Sequence, residues 1–211
     1  AIDEAAANDK TKDEPKMFLY KGDVYMTLYA HQLSAISKKI LMSNGKMTAQ
    51  AVQESQTKAY IQADTTYLMT AVNSFMEVIQ LAPKDFYADE ARQGLQQCST
   101  HLANKAIADY NNGNYKSSFI FFEKTLNLAK AQGAADTSRA YVQLLQNTAL
   151  TAQKAGNNPK AISYYNQMIS SKLGGAAPYS TLFKLYIDQK DTAKALDIVK
   201  QGRVVYPDDV D

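Results

Sequence analysis

The chain has 211 residues, 45% of them hydrophobic, and carries 23 Lys and Arg against 21 Asp and Glu, for a net charge of +2. That much apolar material excludes wholesale disorder, and the near balance of charge excludes a strongly basic nucleic-acid surface or a polyanionic tail. One Cys and two His exclude a disulfide framework and a Cys-rich metal site, and leave little room for a His-based one. No cofactor or metal is therefore expected. No apolar run approaches the ~18 residues of a membrane span, and the opening AIDEAAANDKTKDEPK lacks the apolar segment of a signal peptide.

In chain order, Phe18, Gly22 and Tyr25 belong to a first helix near Met17. Leu33, Ile36 and Ile40 then share one helical stripe, and Val52, Ala59, Ala63 and Tyr67 a second, looser one. Asn44-Gly45 is the natural turn between them. Ala71 and Phe75 lie in a further helix that closes at Leu81-Ala82-Pro83. Leu102, Ala106, Ile107 and Tyr110, then Phe119, Phe122 and Leu126, then Leu145, Ala149 and Ala152, recur at the three-and-four spacing of helices. Asn112-Gly113-Asn114, Gly156-Asn157-Asn158-Pro159, Gly174-Gly175 and Lys190-Asp191 separate these runs. Gly and Asn accept left-handed φ there, and Pro cannot continue a preceding helix. The expected fold class is all-α, with antiparallel helices joined by tight turns.

Small and large residues recur at fixed offsets from the turns: Ser118 and Phe122 after Gly113, Ala161 and Tyr165 after Gly156, Ala195 and Val199 after Lys190. Gly113 and Gly156 are 43 residues apart, and Gly156 and Lys190 are 34 apart. The units resemble tetratricopeptide repeats (TPRs), whose period is about 34 residues. Phe18, Gly22 and Tyr25 match the family's first-helix positions, as do Leu145, Ala149 and Ala152. Tyr179, Leu182, Phe183 and Tyr186 match them in the last unit, with Phe183 where Gly is usual. Ala71, Ser118, Ala161 and Ala195 match the second-helix small residue, and Pro83 and Pro207 the terminal proline.

The resemblance implies a right-handed α-solenoid of antiparallel helix pairs forming one array. Residues 1–13 would be the tail of a preceding repeat, 14–84 a first repeat with a helical insertion at about 31–65, and 85–131, 135–172 and 175–208 three further repeats. The ends look unfinished, as in a segment of a longer solenoid, and uncapped ends would permit self-association. The insertion reads as an elongated αα-hairpin or an extra helix folded over the array. It is either a docking arm or a length variation. Met26, Met42, Met47, Met69 and Met76 gather around it, as core filler or as an adaptable surface.

His31 and His101 lack a second ligand at metal spacing, and Cys98 reads as a small apolar core residue. The nucleophile elbow, the His-Glu-x-x-His pair and the phosphate loop are all missing, so no enzyme activity is expected. What the resemblance implies instead is a protein–protein interaction scaffold that holds a peptide or partner helix in its concave groove. The alternative is a structural or regulatory module of a larger protein with no ligand of its own. First helices line that groove in the family, which points to Asp23, Tyr110, Asn111, Gln143, Gln146, Gln153, Lys154 and Lys184. Amides can satisfy the backbone of an extended peptide. The Lys/Asn/Arg set with which some family members clamp a terminal carboxylate is missing: Leu19, Asp23, Ala103, Ile107, Gln146, Leu150, Ser180 and Lys184 stand at those places. The partner is a protein or peptide, not nucleic acid. The Asn- and Tyr-rich turns look like those of bacterial members, and the single Cys is compatible with a periplasmic or otherwise exported setting.

Overall fold

The computed structural model describes residues 1–45, 47–133 and 138–207. The acidic ending Asp208-Asp209, expected as a turn, and the expected start of the third repeat at 135 lie outside these residues. The chain forms two compact units, residues 1–113 and 114–211. The division falls inside the segment 85–131 expected as the second repeat.

The first unit holds α1 (Ile2–Ala7), α2 (Pro15–Asn44), α3 (Ala49–Gln62), α4 (Thr66–Leu81) and α5 (Phe86–Asn111). Proline suits the first position of α2, where its missing N–H costs nothing. The helix runs 30 residues without a break and stops where Gly45 turns left-handed at φ 63°. Thr48 caps α3 by accepting from the Ala51 N–H at 3.2 Å. Helix α3 folds back along α2 and reaches α5. The segment 31–65 is thus the second half of α2 plus α3, an elongated hairpin. Helix α4 packs against both α2 and α5. Its Leu68, Ala71, Phe75 and Val78 are buried. Of the methionines, Met26 is core, whereas Met42 (70% exposed) and Met47 (81%) stand in solvent on either side of the α2–α3 turn.

The second unit holds α6 (Tyr115–Ala131), α7 (Arg139–Lys154), α8 (Asn158–Ser170), α9 (Ala177–Asp188) and α10 (Thr192–Val205). Its last two hairpins repeat their turn atom for atom. In the α7–α8 turn, Ala155, Gly156 and Asn157 donate backbone N–H groups to the carbonyls of Thr151, Gln153 and Ala152. In the α9–α10 turn, Gln189, Lys190 and Asp191 donate to Leu185, Ile187 and Tyr186, each partner 34 residues on. Gly156 and Lys190 both take positive φ, 76° and 59°. Asn157 and Asp191 then cap α8 and α10 by accepting from the N–H groups of Lys160 and Lys194. This shared helix-stop geometry places these two hairpins 34 residues apart in one register. The small residues Ala71, Ser118, Ala161 and Ala195 are all buried, as close helix crossings require. Gly174 and Gly175, both left-handed, separate α8 from α9 as a helix stop.

Candidate functional site

In the first unit, the buried face of α2 carries Gly22, Met26 and Tyr29. A residue two positions from each of these points to the far side of a helix. There Tyr20, Val24 and Leu28, four residues apart, remain 52%, 40% and 41% exposed. Residues at this spacing form a continuous stripe. Asp23 is exposed beside it. Its carboxyl lies above the usual range, first because it is partly desolvated and second because Glu90 of α5 repels its charge. Tyr110 and Asn111 lie at the opposite end of the unit's last helix and do not join this stripe.

Gln143, Gln146, Gln153 and Lys154 all lie on α7 in the second unit. The Gln143 amide donates to Asn147 Oδ1 at 3.1 Å, one turn along the same helix. Gln153 Oε1 accepts from the Tyr165 hydroxyl at 3.3 Å. Gln146 turns toward Gly174, with Nε2 3.3 Å from where a Cβ there would stand. Only Lys154 of the four is both exposed and without a hydrogen bond or ion pair among the described residues. Lys184 lies elsewhere, on α9.

Lys184 lines an open groove of about 730 Å³ between α9 and α10. Tyr179, Phe183, Val199, Gly202 and Tyr206 form its apolar floor, and Arg203 is its second cation. Helix α10 comes close here, since a Cβ on Gly202 would lie 3.3 Å from Tyr179 Cβ. Phe183, which stands where the repeat usually has Gly, is 37% exposed, and no described helix covers this face.

The buried polar groups do structural work. The Tyr60 hydroxyl of α3 accepts from Asn104 Nδ2 at 3.2 Å and lies 3.0 Å from His101 Nδ1. Burial lowers the His101 pKa below the ordinary imidazole value. The Tyr29 ring meets the same imidazole edge-on at 5.4 Å. Burial pushes the Cys98 thiol up to about 12, so it stays protonated against Met26 Sδ at 3.3 Å. Among the described residues, no group of three His, Cys, Asp or Glu could hold a metal ion, and no helix is long and apolar enough to cross a membrane.

The outward stripe of α2 and the α9–α10 groove were not singled out from sequence. The spacing of Tyr20, Val24 and Leu28 was a usable signal, but α2 also carries apolar residues on its opposite face. Periodicity alone does not say which set is covered.

No protein-family profile and no curated protein matches the chain. Among solved structures it is similar to a Podosopora anserina protein described as a putative kinesin light chain with nearly identical TPR-like repeats. That likeness has 13% identity and a TM-score of 0.47 over 94% of this chain and 99% of the other. The Q17M variant of that protein gives 12% identity and a TM-score of 0.45, over 91% and 95%. By its own helix pairing and its 34-residue hairpin register, the chain has an all-α, TPR-like repeat fold.

Proposed function

We propose that the chain is a non-enzymatic protein-interaction scaffold whose first unit receives a peptide or partner helix on the outward face of α2. The exposed stripe Tyr20, Val24 and Leu28 beside Asp23 carries this reading. Three large apolar side chains in a row on one helix lose water on contact with a partner, at about 25 cal/mol per Å² of apolar surface buried. Asp23 and Glu90 add a negative rim that favours a partner with a cation next to its apolar face. In the second unit, Lys154 and the amides of α7 are secondary contact candidates.

A second reading, a structural module without a ligand of its own, is favoured by one observation. The amides of Gln143 and Gln153 already have partners within their unit. Affinity capture from the source cell's extract separates the two. The native chain is compared with Val24→Lys/Leu28→Lys and with Gln146→Ala/Gln153→Ala/Lys184→Glu. A discrete protein lost with the α2 variant supports the scaffold, and no enrichment in any lane supports the structural module.

A further inference from the structure

The α2–α3 hairpin ends in a projecting tip built by the interior of the chain. Two serines hold its helices close, with Ser37 Oγ 2.8 Å from Oγ of the fully buried Ser55. Beyond that crossing α2 runs on to Asn44. Met42 and Met47 stand in solvent on either side of the turn, 70% and 81% exposed. Lys38 and Lys39 are exposed just behind them on α2. Neither has an ion pair among the described residues. The sequence holds no Asp or Glu from residue 24 to residue 53, and Lys46 of the turn is itself basic. The first carboxylate of α3, Glu54, accepts from the Gln50 amide at 2.9 Å. The tip is also remote from the chain that precedes α2. Asp3 of α1 meets α2 at Lys21 and Tyr25, about 25 Å or more along the helix from Met42.

We infer that the α2–α3 tip docks on a membrane surface rich in anionic headgroups. A projecting tip offers a peptide no groove, whereas a lipid surface adapts to any convex shape. Met42 and Met47 enter the boundary between headgroups and acyl chains. Lys38 and Lys39 follow about 4.5–6 Å behind Met42 along the α2 axis. That spacing leaves their ammonium groups level with the lipid phosphates while the thioethers are buried. The headgroups supply the negative charge that the tip lacks. The contact is peripheral: among the described residues no helix is long and apolar enough to cross a membrane. Buried apolar area and charge attraction add, so two modest features give reversible docking. This activity goes beyond the scaffold reading and stands whether or not the α2 stripe holds a partner.

The test uses the full chain and vesicles of one part phosphatidylglycerol to two parts phosphatidylcholine, with phosphatidylcholine alone as the neutral control. Co-flotation reads the bound fraction. The native chain is expected to float with the anionic vesicles and not with the neutral ones. Lys38→Glu/Lys39→Glu is expected to lose about tenfold or more in apparent affinity, and Met42→Ser/Met47→Ser to bind severalfold more weakly. Lys58→Glu/Lys84→Glu makes the same change in net charge away from the tip and is expected to bind nearly as the native chain does. All six of these positions are exposed, so the variants keep their fold, as circular dichroism would check. Val24→Ser/Leu28→Ser is expected to leave flotation unchanged, which separates the tip from the α2 stripe. An environment-sensitive dye on Met42→Cys is expected to shift to the blue on anionic vesicles, and the same dye on Lys58→Cys is not. The inference is overturned if the native chain does not float, or floats equally with neutral vesicles. It is also overturned if Lys58→Glu/Lys84→Glu loses as much as the tip reversal, or if both dyes shift alike. A tip that crosslinks to an acidic protein through position 42, without flotation, overturns it too and gives the tip to a protein partner.

Discussion

The ring of Phe75 occupies the space that a Cβ on Gly94 would need: that atom would stand 2.5 Å from Cζ. Gly22 of α2 meets the same ring from its other neighbour, so α2 and α5 close on α4 through two glycines and one fully buried phenyl. Both glycines sit inside helices, where Ala is intrinsically better by about 0.8–1.0 kcal/mol. The steric cost exceeds that gain, because the ring is enclosed on all sides. Gly22→Ala and Gly94→Ala are each expected to lower stability by about 1–3 kcal/mol. Urea unfolding reads this, and adding Phe75→Leu should recover part of the loss through non-additivity.

The crossings in the second unit carry the same sign. Ala161 and Ala195 are buried at the start of α8 and α10. Ala161→Leu and Ala195→Leu overpack their crossings and are expected to cost about 1–3 kcal/mol each. Unchanged unfolding midpoints in both variants would refute the repeat register.

The buried pair Lys105–Asp109, at 2.8 Å with side chains 8% and 1% exposed, ties α3 to α5, because Lys105 also donates to the Ile61 carbonyl. Asp109→Ala leaves an ammonium buried with its main counter-charge gone, at about 3–5 kcal/mol. The double change Lys105→Met/Asp109→Leu removes both charges and is expected to cost clearly less. A thermal melt of the three chains makes the comparison.

Tyr29 is fully buried, and its hydroxyl has no hydrogen-bond partner among the described residues. Burial raises its pKa. Tyr29→Phe removes an unsatisfied polar atom while keeping the ring against His101, so stability should hold or rise by about 1 kcal/mol. A loss in urea unfolding would mean that the hydroxyl has a partner.

The pH dependence follows from His101, whose neighbours are Tyr29 on α2 and Tyr60 and Asn104 through the hydroxyl bond. Its pKa is lowered from 6.5 by burial, so the unfolded chain binds the proton first. Stability is intact above about pH 6.5 and falls as the pH drops through 6.5 toward the folded value. His101→Gln is expected to flatten the urea midpoint between pH 7.5 and pH 5.

The helices and turns were readable because their signals are local. Gly45, Gly156 and Gly174-Gly175 stop helices by their own backbone freedom, and Ala161 and Ala195 mark crossings by size. The site residues were less readable, because exposure depends on what packs above a side chain. Phe183 and Ala149 hold the same repeat position, yet α9 covers the cluster around Ala149, and no described helix covers Phe183. Gln153 reads as a groove residue from its repeat position, but that its amide oxygen accepts from Tyr165 depends on the packing of α8 on α7. Met42 and Met47 are exposed because α2 outruns α4, a length relationship that no local pattern encodes.

The central claim, that the outward face of α2 contacts a partner, is tested most directly by site-specific photo-crosslinking. A photoreactive side chain replaces Val24, and a control replaces the exposed Lys58 on α3. The account predicts a discrete adduct in native extract at position 24 and none at position 58. No adduct at 24, or the same adducts at both positions, would contradict it.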